Sequence, residues 1–182
     1  MKQRSGGCRE WPVPGSSTLS YKGKPLPYMP FVYEHPVYWQ KVQEETKGSG
    51  DFERSTCLFI DSENAREHTE EEMIPVENIK GRLFLVGAED DSFWEAGKYI
   101  RRMDRRLKER PHTCEYVPLV YEHGTHFVLP ESMLRMALPV GLKFVLRFIF
   151  KAAKEYPDEC EAARKDIDRR LSAALKEWRE EN

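Results

Sequence analysis

Residues 74–94, reading IPVENIKGRLFLVGAEDDSFW, constrain the fold of this chain more than any other stretch. At its centre, residues 83–86 form a short apolar run, with charged and turn residues on both sides. An apolar run of this length between turn signals predicts a strand that is buried on both faces. Such strands are typical of a parallel sheet covered by helices, so the sequence predicts an α/β fold.

The residues after this strand predict a turn and the start of a helix. Ser92 and Glu95 have the spacing of a capping box, in which two side chains satisfy free N–H groups in the first turn of a helix. Asp91 is therefore expected between the C-terminal end of a strand and the N-terminus of a helix. That edge of an open α/β sheet is where ligands and catalytic groups collect.

A helix and a second strand follow, at about residues 93–110 and 114–120. Apolar residues at helical spacing predict that this helix packs on the sheet, together with Trp94. A right-handed crossover of this kind brings the C-terminal ends of both strands to the same sheet edge. His126, just past the second strand, is therefore expected near Asp91. The predicted packing face is Tyr99, Ile100, Met103 and Leu107.

A carboxylate beside a histidine can fix the imidazole tautomer and support the imidazolium that forms in catalysis. The order acid then histidine, each just past a parallel strand, is the order of an α/β-hydrolase. Asp90 and His123 are the competing acid and histidine. Two acids and two histidines could also suggest a metal site, but i, i+3 spacing on a loop argues against one. No metal and no cofactor is predicted.

Residues 74–94 also resemble a known family. They are similar to the acid-bearing strand and loop in the C-terminal domain of acyl-CoA thioesterases and bile-acid-CoA:amino acid acyltransferases, which are α/β-hydrolases. Residues 20–27 (SYKGKPLP) and 121–126 (YEHGTH) carry the same resemblance. The resemblance implies cleavage of an ester or thioester by a Ser/Cys-His-Asp triad. Asp91 would be its acid and His126 its general base, with acyl-CoA or another acyl ester as substrate.

The nucleophile of such a triad is not recognisable in this sequence. A hydrolase elbow reads G-x-S-x-G, and the nearest fragments, around Cys8 and Ser16, lack the second glycine. The resemblance therefore implies the C-terminal part of a hydrolase that supplies the acid and the histidine only. The alternative is a truncated, non-catalytic α/β-hydrolase remnant that acts as a binding or interaction module.

The remaining patterns predict one partial α/β-hydrolase domain over residues 1–182, with a mostly parallel sheet flanked by helices. Residues 30–73 are expected to form a cap-like helical excursion, with helices at 36–47 and in the acidic segment 61–72. Apolar residues 133–150 predict a helix that is buried, or that covers a partner or the acyl pocket. Residues 158–180 predict a final amphipathic helix. Its expected packing face is Ala163, Ile167, Leu171, Leu175 and Trp178.

Composition limits which binding partners and which cellular compartment are expected for this chain. The formal net charge is −2, so the chain has no basic footprint for nucleic acid. The longest uncharged apolar run is too short for a membrane span. The four cysteines are scattered without a C-x-x-C pair, which fits a reducing cytoplasm. A homo-oligomer is left open.

Overall fold

The computed structural model describes residues 17 and 19–181 of the chain, which form a mixed α/β structure. The nucleophile-like fragments at Cys8 and Ser16 lie outside the described residues.

The elements fall into three groups along the chain. The first holds the hairpin β1 (Ser20–Tyr21) and β2 (Lys24–Pro25), helices α1 (Val37–Thr46) and α2 (Thr56–Ala65), and the 3₁₀ turns Glu70–Glu72 and Val76–Asn78. The second holds β3 (Arg82–Ala88), α3 (Ala96–Glu109) and β4 (Glu115–Tyr121). The third holds α4 (Glu131–Ala137), α5 (Leu142–Ile149), α6 (Lys151–Glu155) and α7 (Pro157–Glu181).

Strands β3 and β4 pair in parallel, from Arg82 opposite Glu115 to Ala88 opposite Tyr121. Helix α3 connects them, as the sequence predicts for this unit. Because parallel strands point the same way, the loops after β3 and β4 leave from one edge of the sheet. Within the described residues this sheet has two strands.

Both faces of β3 contact helices, as its continuous apolar run predicts, while Leu83, Phe84 and Val86 are only partly buried. On one face Leu85 packs with Ile100 and Leu107 of α3. On the other face Ala88 packs with residues of α7, Ala163 and Ile167. The strand therefore lies between two helical layers.

Helix α3 approaches β3 closely at Gly87. A Cβ atom at this position would lie 2.7 Å from Cδ1 of Ile100 and 2.8 Å from Cβ of Ala96. Glycine is required here because any side chain would push the first turns of α3 off the strand. This contact fixes where α3 begins relative to the loop that carries Asp91.

The excursion before β3 contains helix α1, as predicted, but the acidic segment 61–72 is not one helix. Helix α2 ends at Ala65, and a separate 3₁₀ turn follows at Glu70–Glu72. Two acids of this segment pair with basic residues of α3. Nζ of Lys98 lies 2.7 Å from Glu63, and Arg106 lies 2.6 Å from Glu70. These ion pairs connect the excursion to helix α3.

The apolar segment 133–150 forms two helices, α4 and α5, separated by residues that include Pro139 and Gly141, the latter at φ +78°. One side of these helices is buried through Leu134, Leu142 and Leu146. The other side is open, since Met136 is 87% exposed and Phe144 76% exposed. The expected burial therefore applies to one face only. Among residues 17 and 19–181, no helix combines the length and the apolar character needed to cross a bilayer.

Helix α7 follows the predicted range, and its packing face is buried at Ala163 and Ile167. The prediction is wrong for Leu175 and Trp178, which are 56% and 58% exposed. This end of α7 lies beside Arg82, whose guanidinium donates to the carbonyl of Ala174. Arg82 is the first residue of β3, so the helix has here reached the end of the sheet's apolar surface.

Candidate functional site

Asp91 and His126 meet at the edge of the sheet where β3 and β4 both end. Nδ1 of His126 lies 3.0 Å from Oδ2 and 3.2 Å from Oδ1 of Asp91. The Asp91 side chain is 4% exposed and the His126 side chain 20% exposed. Nε2 of His126 makes no hydrogen bond to any described residue. The structure thus brings these two predicted residues together, and their catalytic role stays a prediction.

Asp91 is held in place by the backbone that follows it. Its Oδ1 accepts the N–H groups of Phe93, at 2.8 Å, and of Trp94, at 3.4 Å. This is the local bond by which an aspartate organises a turn. The same carboxylate therefore binds both the loop backbone and the imidazole of His126.

The capping box predicted from Ser92 and Glu95 is wrong. Helix α3 begins at Ala96, and its N-cap residue Glu95 makes no capping hydrogen bond through its side chain. Ser92 is 1% exposed, and its Oγ has no hydrogen-bond partner among the described residues. Asp91 binds the free N–H groups after the strand, and this displaces the role expected of Ser92.

Two aromatic rings enclose the imidazole of His126. The Phe93 ring centroid lies 4.3 Å from it with planes tilted by 30°, and that of Trp94 lies 4.4 Å away with planes at 87°. The prediction that Trp94 packs on the sheet with α3 is therefore wrong, because this residue lies in the loop before α3. Its ring contacts His126 instead.

The excursion reaches the site through a second set of contacts. The ring of Phe59, on α2, packs edge-on against Trp94 with centroids 5.6 Å apart, and Phe31 packs on Phe59 at 5.1 Å. The N–H of Ser55 donates to the carbonyl of Ser92 at 3.0 Å. The start of α2 thus forms one wall of the acid loop.

Asp90 and His123, the competing pair, contact each other rather than His126. Nδ1 of His123 lies 3.2 Å from Oδ2 of Asp90. Oδ1 of Asp90 accepts the N–H groups of Gly124, at 3.0 Å, and Thr125, at 2.8 Å. The sequence indicated Asp90 only as an alternative acid, and these contacts were not predicted. Two sequence features could have indicated a second Asp–His contact: the adjacent aspartates and the H-x-x-H spacing of the histidines.

The cysteines in the described part of the chain do not have the character of an activated nucleophile. Burial raises the pKa of the Cys57 thiol to about 12 and that of Cys160 to about 11. A thiol with a raised pKa is a poor source of the reactive thiolate. Cys114 contacts His112 at 3.5 Å but lies before β4, at the opposite end of the strand from His126.

In the described ranges, 17 and 19–181, no group of three or more His, Cys, Asp or Glu side chains converges as a metal site would require. In each of the pairs Asp91–His126 and Asp90–His123, the histidine Nδ1 lies within hydrogen-bond distance of a carboxylate oxygen. What this arrangement can do chemically is orient an imidazole with one nitrogen held and the other free to exchange a proton.

Comparison with known proteins gives one match. The family model described as BAAT / Acyl-CoA thioester hydrolase C terminal matches residues 19–133, a range that contains the Asp91–His126 pair and well over half of the chain. Searches of the curated proteins and of the solved structures found no match. The chain belongs to the BAAT / acyl-CoA thioester hydrolase C-terminal family.

Proposed function

We propose that this chain contributes the acid and the histidine of a Ser/Cys-His-Asp triad that cleaves an acyl-CoA thioester or a related acyl ester. The single observation that carries the proposal is the contact between Nδ1 of His126 and the buried carboxylate of Asp91, at 3.0 Å. Family membership supports an acyl-CoA substrate.

In this mechanism Asp91 accepts the Nδ1–H of His126, which leaves Nε2 as the base. Nε2 takes the proton of the nucleophile's hydroxyl or thiol as that atom attacks the acyl carbonyl carbon. The carbonyl π electrons move to oxygen and return as the bond to the leaving CoA sulfur breaks. His126 then gives its proton to that sulfur. The acyl acceptor then gives a proton to Nε2 of His126 as it attacks the acyl carbonyl carbon. The bond from the acyl group to the nucleophile breaks, and His126 returns its proton to the nucleophile, which is thereby restored.

The nucleophile is proposed to come from polypeptide other than these 182 residues, because the sequence contains no elbow motif. The raised thiol pKa values of Cys57 and Cys160 support this. The fold proposed is the C-terminal part of an α/β-hydrolase, one partial domain over residues 1–182. The parallel pairing of β3 and β4 around a crossover helix supports it.

Residues 30–73 are proposed to act as a cap over the site. The aromatic contacts from Phe31 through Phe59 to Trp94 support this, since they connect the excursion to the rings around His126. We also propose a reducing compartment such as the cytoplasm. Its support is that Cys57, Cys114 and Cys160 are all unpaired.

A non-catalytic binding or interaction module is the second candidate. The absence of an elbow motif from the sequence favours it. In that case Asp91 and His126 would serve only to hold the two loops together, and a change at either would alter stability without any effect on acyl transfer.

Experiments on the protein isolated from its native cells distinguish the two candidate functions. Its intact mass shows whether polypeptide beyond residues 1–182 is attached. Release of CoA from acyl-CoA, followed with a thiol reagent, then measures turnover. The enzyme proposal predicts turnover by the complete protein and none above background by the 182-residue chain alone. Turnover by neither, with an acyl-CoA affinity that His126→Ala leaves unchanged, would favour the binding module.

A further inference from the structure

Two adjacent carboxylates bind different parts of the loop over residues 122–126, which we call the histidine loop. Asp91 binds the side chain of His126. Asp90 binds the backbone, because its Oδ1 accepts the N–H groups of both Gly124, at 3.0 Å, and Thr125, at 2.8 Å. Hydrogen bonds from N–H groups to a carboxylate are charge-assisted and stronger than neutral ones.

The conformation of the histidine loop needs such support. Thr125 has φ +63°, a left-handed backbone that a β-branched residue rarely adopts and that costs free energy. Its side chain is 1% exposed, and its Oγ1 accepts the N–H of Phe127 at 3.2 Å. The turn is therefore unusual and fully packed, and the two bonds to Asp90 offset its strain.

Gly124 places the same turn tightly against the core. A Cβ atom here would lie 2.7 Å from Cγ2 of Val128 and 3.0 Å from Cβ of Ala88, the last residue of β3. Because the loop backbone lies this close to the strand end, a carboxylate two residues past β3 can reach its N–H groups. The position of Asp90 in the sequence thus matches the position of the turn it binds.

We propose that Asp90 is a positioning residue for His126. By binding the N–H groups of Gly124 and Thr125, it holds the backbone immediately before His126, so that Nδ1 of His126 faces Asp91. The proposal rests on the proposed function, in which His126 is the base, and identifies what holds that base in place. Asp90 contacts the loop that carries His126 and does not contact its ring.

His123 is the second partner of Asp90, with Nδ1 3.2 Å from Oδ2. Its ring stacks on Tyr156, with centroids 3.7 Å apart and planes at 4°. Since both backbone N–H groups bind Oδ1, the other oxygen and its histidine are not needed to hold the turn. The positioning function is therefore assigned to Oδ1 of Asp90.

The test is the tautomer of the His126 imidazole in the nitrogen-15 labelled 182-residue chain, read from its ring nitrogen shifts by NMR. In the unmodified chain the Nδ1–H form, which donates to Asp91, should dominate. Asp90→Ala removes both oxygens and should lower the ratio of Nδ1–H to Nε2–H by about tenfold. Asp90→Asn keeps Oδ1 as an acceptor and should restore most of that ratio.

Two controls separate positioning from a general loss of structure. His123→Ala should leave the His126 tautomer unchanged, because Oδ1 of Asp90 remains. Glu122→Ala removes a neighbouring carboxylate that is 87% exposed and should also have no effect. Should Asp90→Ala fail to fold, amide exchange in the unmodified chain decides the matter, since Gly124 and Thr125 must then be protected.

An unchanged tautomer in a folded Asp90→Ala chain, or amides of Gly124 and Thr125 that exchange as fast as free loop amides, would overturn the proposal. The triad proposal has a separate outcome. If Asp91→Asn leaves the tautomer of His126 unchanged, the Asp91–His126 pair does not orient the imidazole and the proposed function fails. If Asp91→Asn changes it and Asp90→Ala does not, only the positioning role of Asp90 is lost.

Discussion

Trp94 lies edge-on to the imidazole of His126, with ring centroids 4.4 Å apart and planes at 87°. The same indole packs edge-on against Phe59 of α2 at 5.6 Å. It thus joins the excursion to the catalytic candidate through two edge contacts, the preferred geometry of aromatic pairs. A side chain that is 38% exposed is in this way part of the framework of the site.

Replacing Trp94 with Ala should lower the free energy of unfolding by about 1–2 kcal/mol, because partial burial and two ring contacts are lost. Trp94→Phe keeps an aromatic edge and should lose less than half of that. Urea unfolding followed by circular dichroism measures both changes. A loss below about 0.5 kcal/mol for the alanine variant would show that the ring contributes nothing to the site's framework.

The proximity of Asp91 and His126 could be predicted from the sequence because the predicted topology allows their contact, without requiring it. Two apolar runs with a helix between them predict a parallel pair, and a parallel pair brings its two following loops to one edge. Resemblance to a family then distinguished Asp91 from Asp90. No comparable rule fixes which neighbour a side chain meets inside a loop, so the contacts of Asp90 and Trp94 were not predictable.

The capping box fails for a physical reason that the sequence does not display. Both Ser92 and Asp91 can accept the N–H groups after the strand, and a pattern of residue types cannot rank two competing acceptors. The buried side of α3 was predictable because burial repeats with the helical period. The exposed end of α7 was not, since the length of the sheet beneath it is a tertiary property.

Leu107→Ala should cost about 2–5 kcal/mol of unfolding free energy, because the side chain is 1% exposed and its loss leaves a cavity between α3 and the sheet. Leu175→Ala is the matched control in α7, where the side chain is 56% exposed, and should change stability by about 0.5 kcal/mol or less. Chemical denaturation of the two variants gives both numbers. Equal losses would mean that α3 does not pack as described.

Glu131 and Arg164 form a buried ion pair between α4 and α7, with Oε2 and Nε 2.8 Å apart. Glu131→Leu should cost about 3–5 kcal/mol because the buried charge of Arg164 is left without its partner. Arg164→Met should cost less, because Glu131 keeps an ion pair with Arg135 at 2.9 Å. The double variant should cost much less than the sum of the two. Unfolding free energies of all four chains form the cycle, and strictly additive losses would show that the charges do not depend on each other.

Tyr121 should make the chain sensitive to alkali. Burial and the hydrogen bond that it donates to Asp166 raise its pKa from 10.0 to about 12. A raised pKa means that the folded chain keeps a proton that the unfolded chain releases. The stability it contributes is therefore present below about pH 10 and is lost as the pH rises through about 12. Tyr121→Phe should flatten this decline, as measured by urea midpoints at about pH 9 and about pH 11.5. An identical decline in both chains would contradict the assignment.

The most direct test of the central claim is kcat/KM for acyl-CoA hydrolysis by the catalytically complete protein, these residues together with the polypeptide that supplies the nucleophile. His126→Ala should lower kcat/KM by about a thousandfold or more, and Asp91→Asn by about a hundredfold or more. His112 lies before the start of β4, at the other end of the strand from His126. His112→Ala should therefore leave kcat/KM unchanged. Equal activity of the His126→Ala and His112→Ala proteins would contradict the assignment of His126 as the general base.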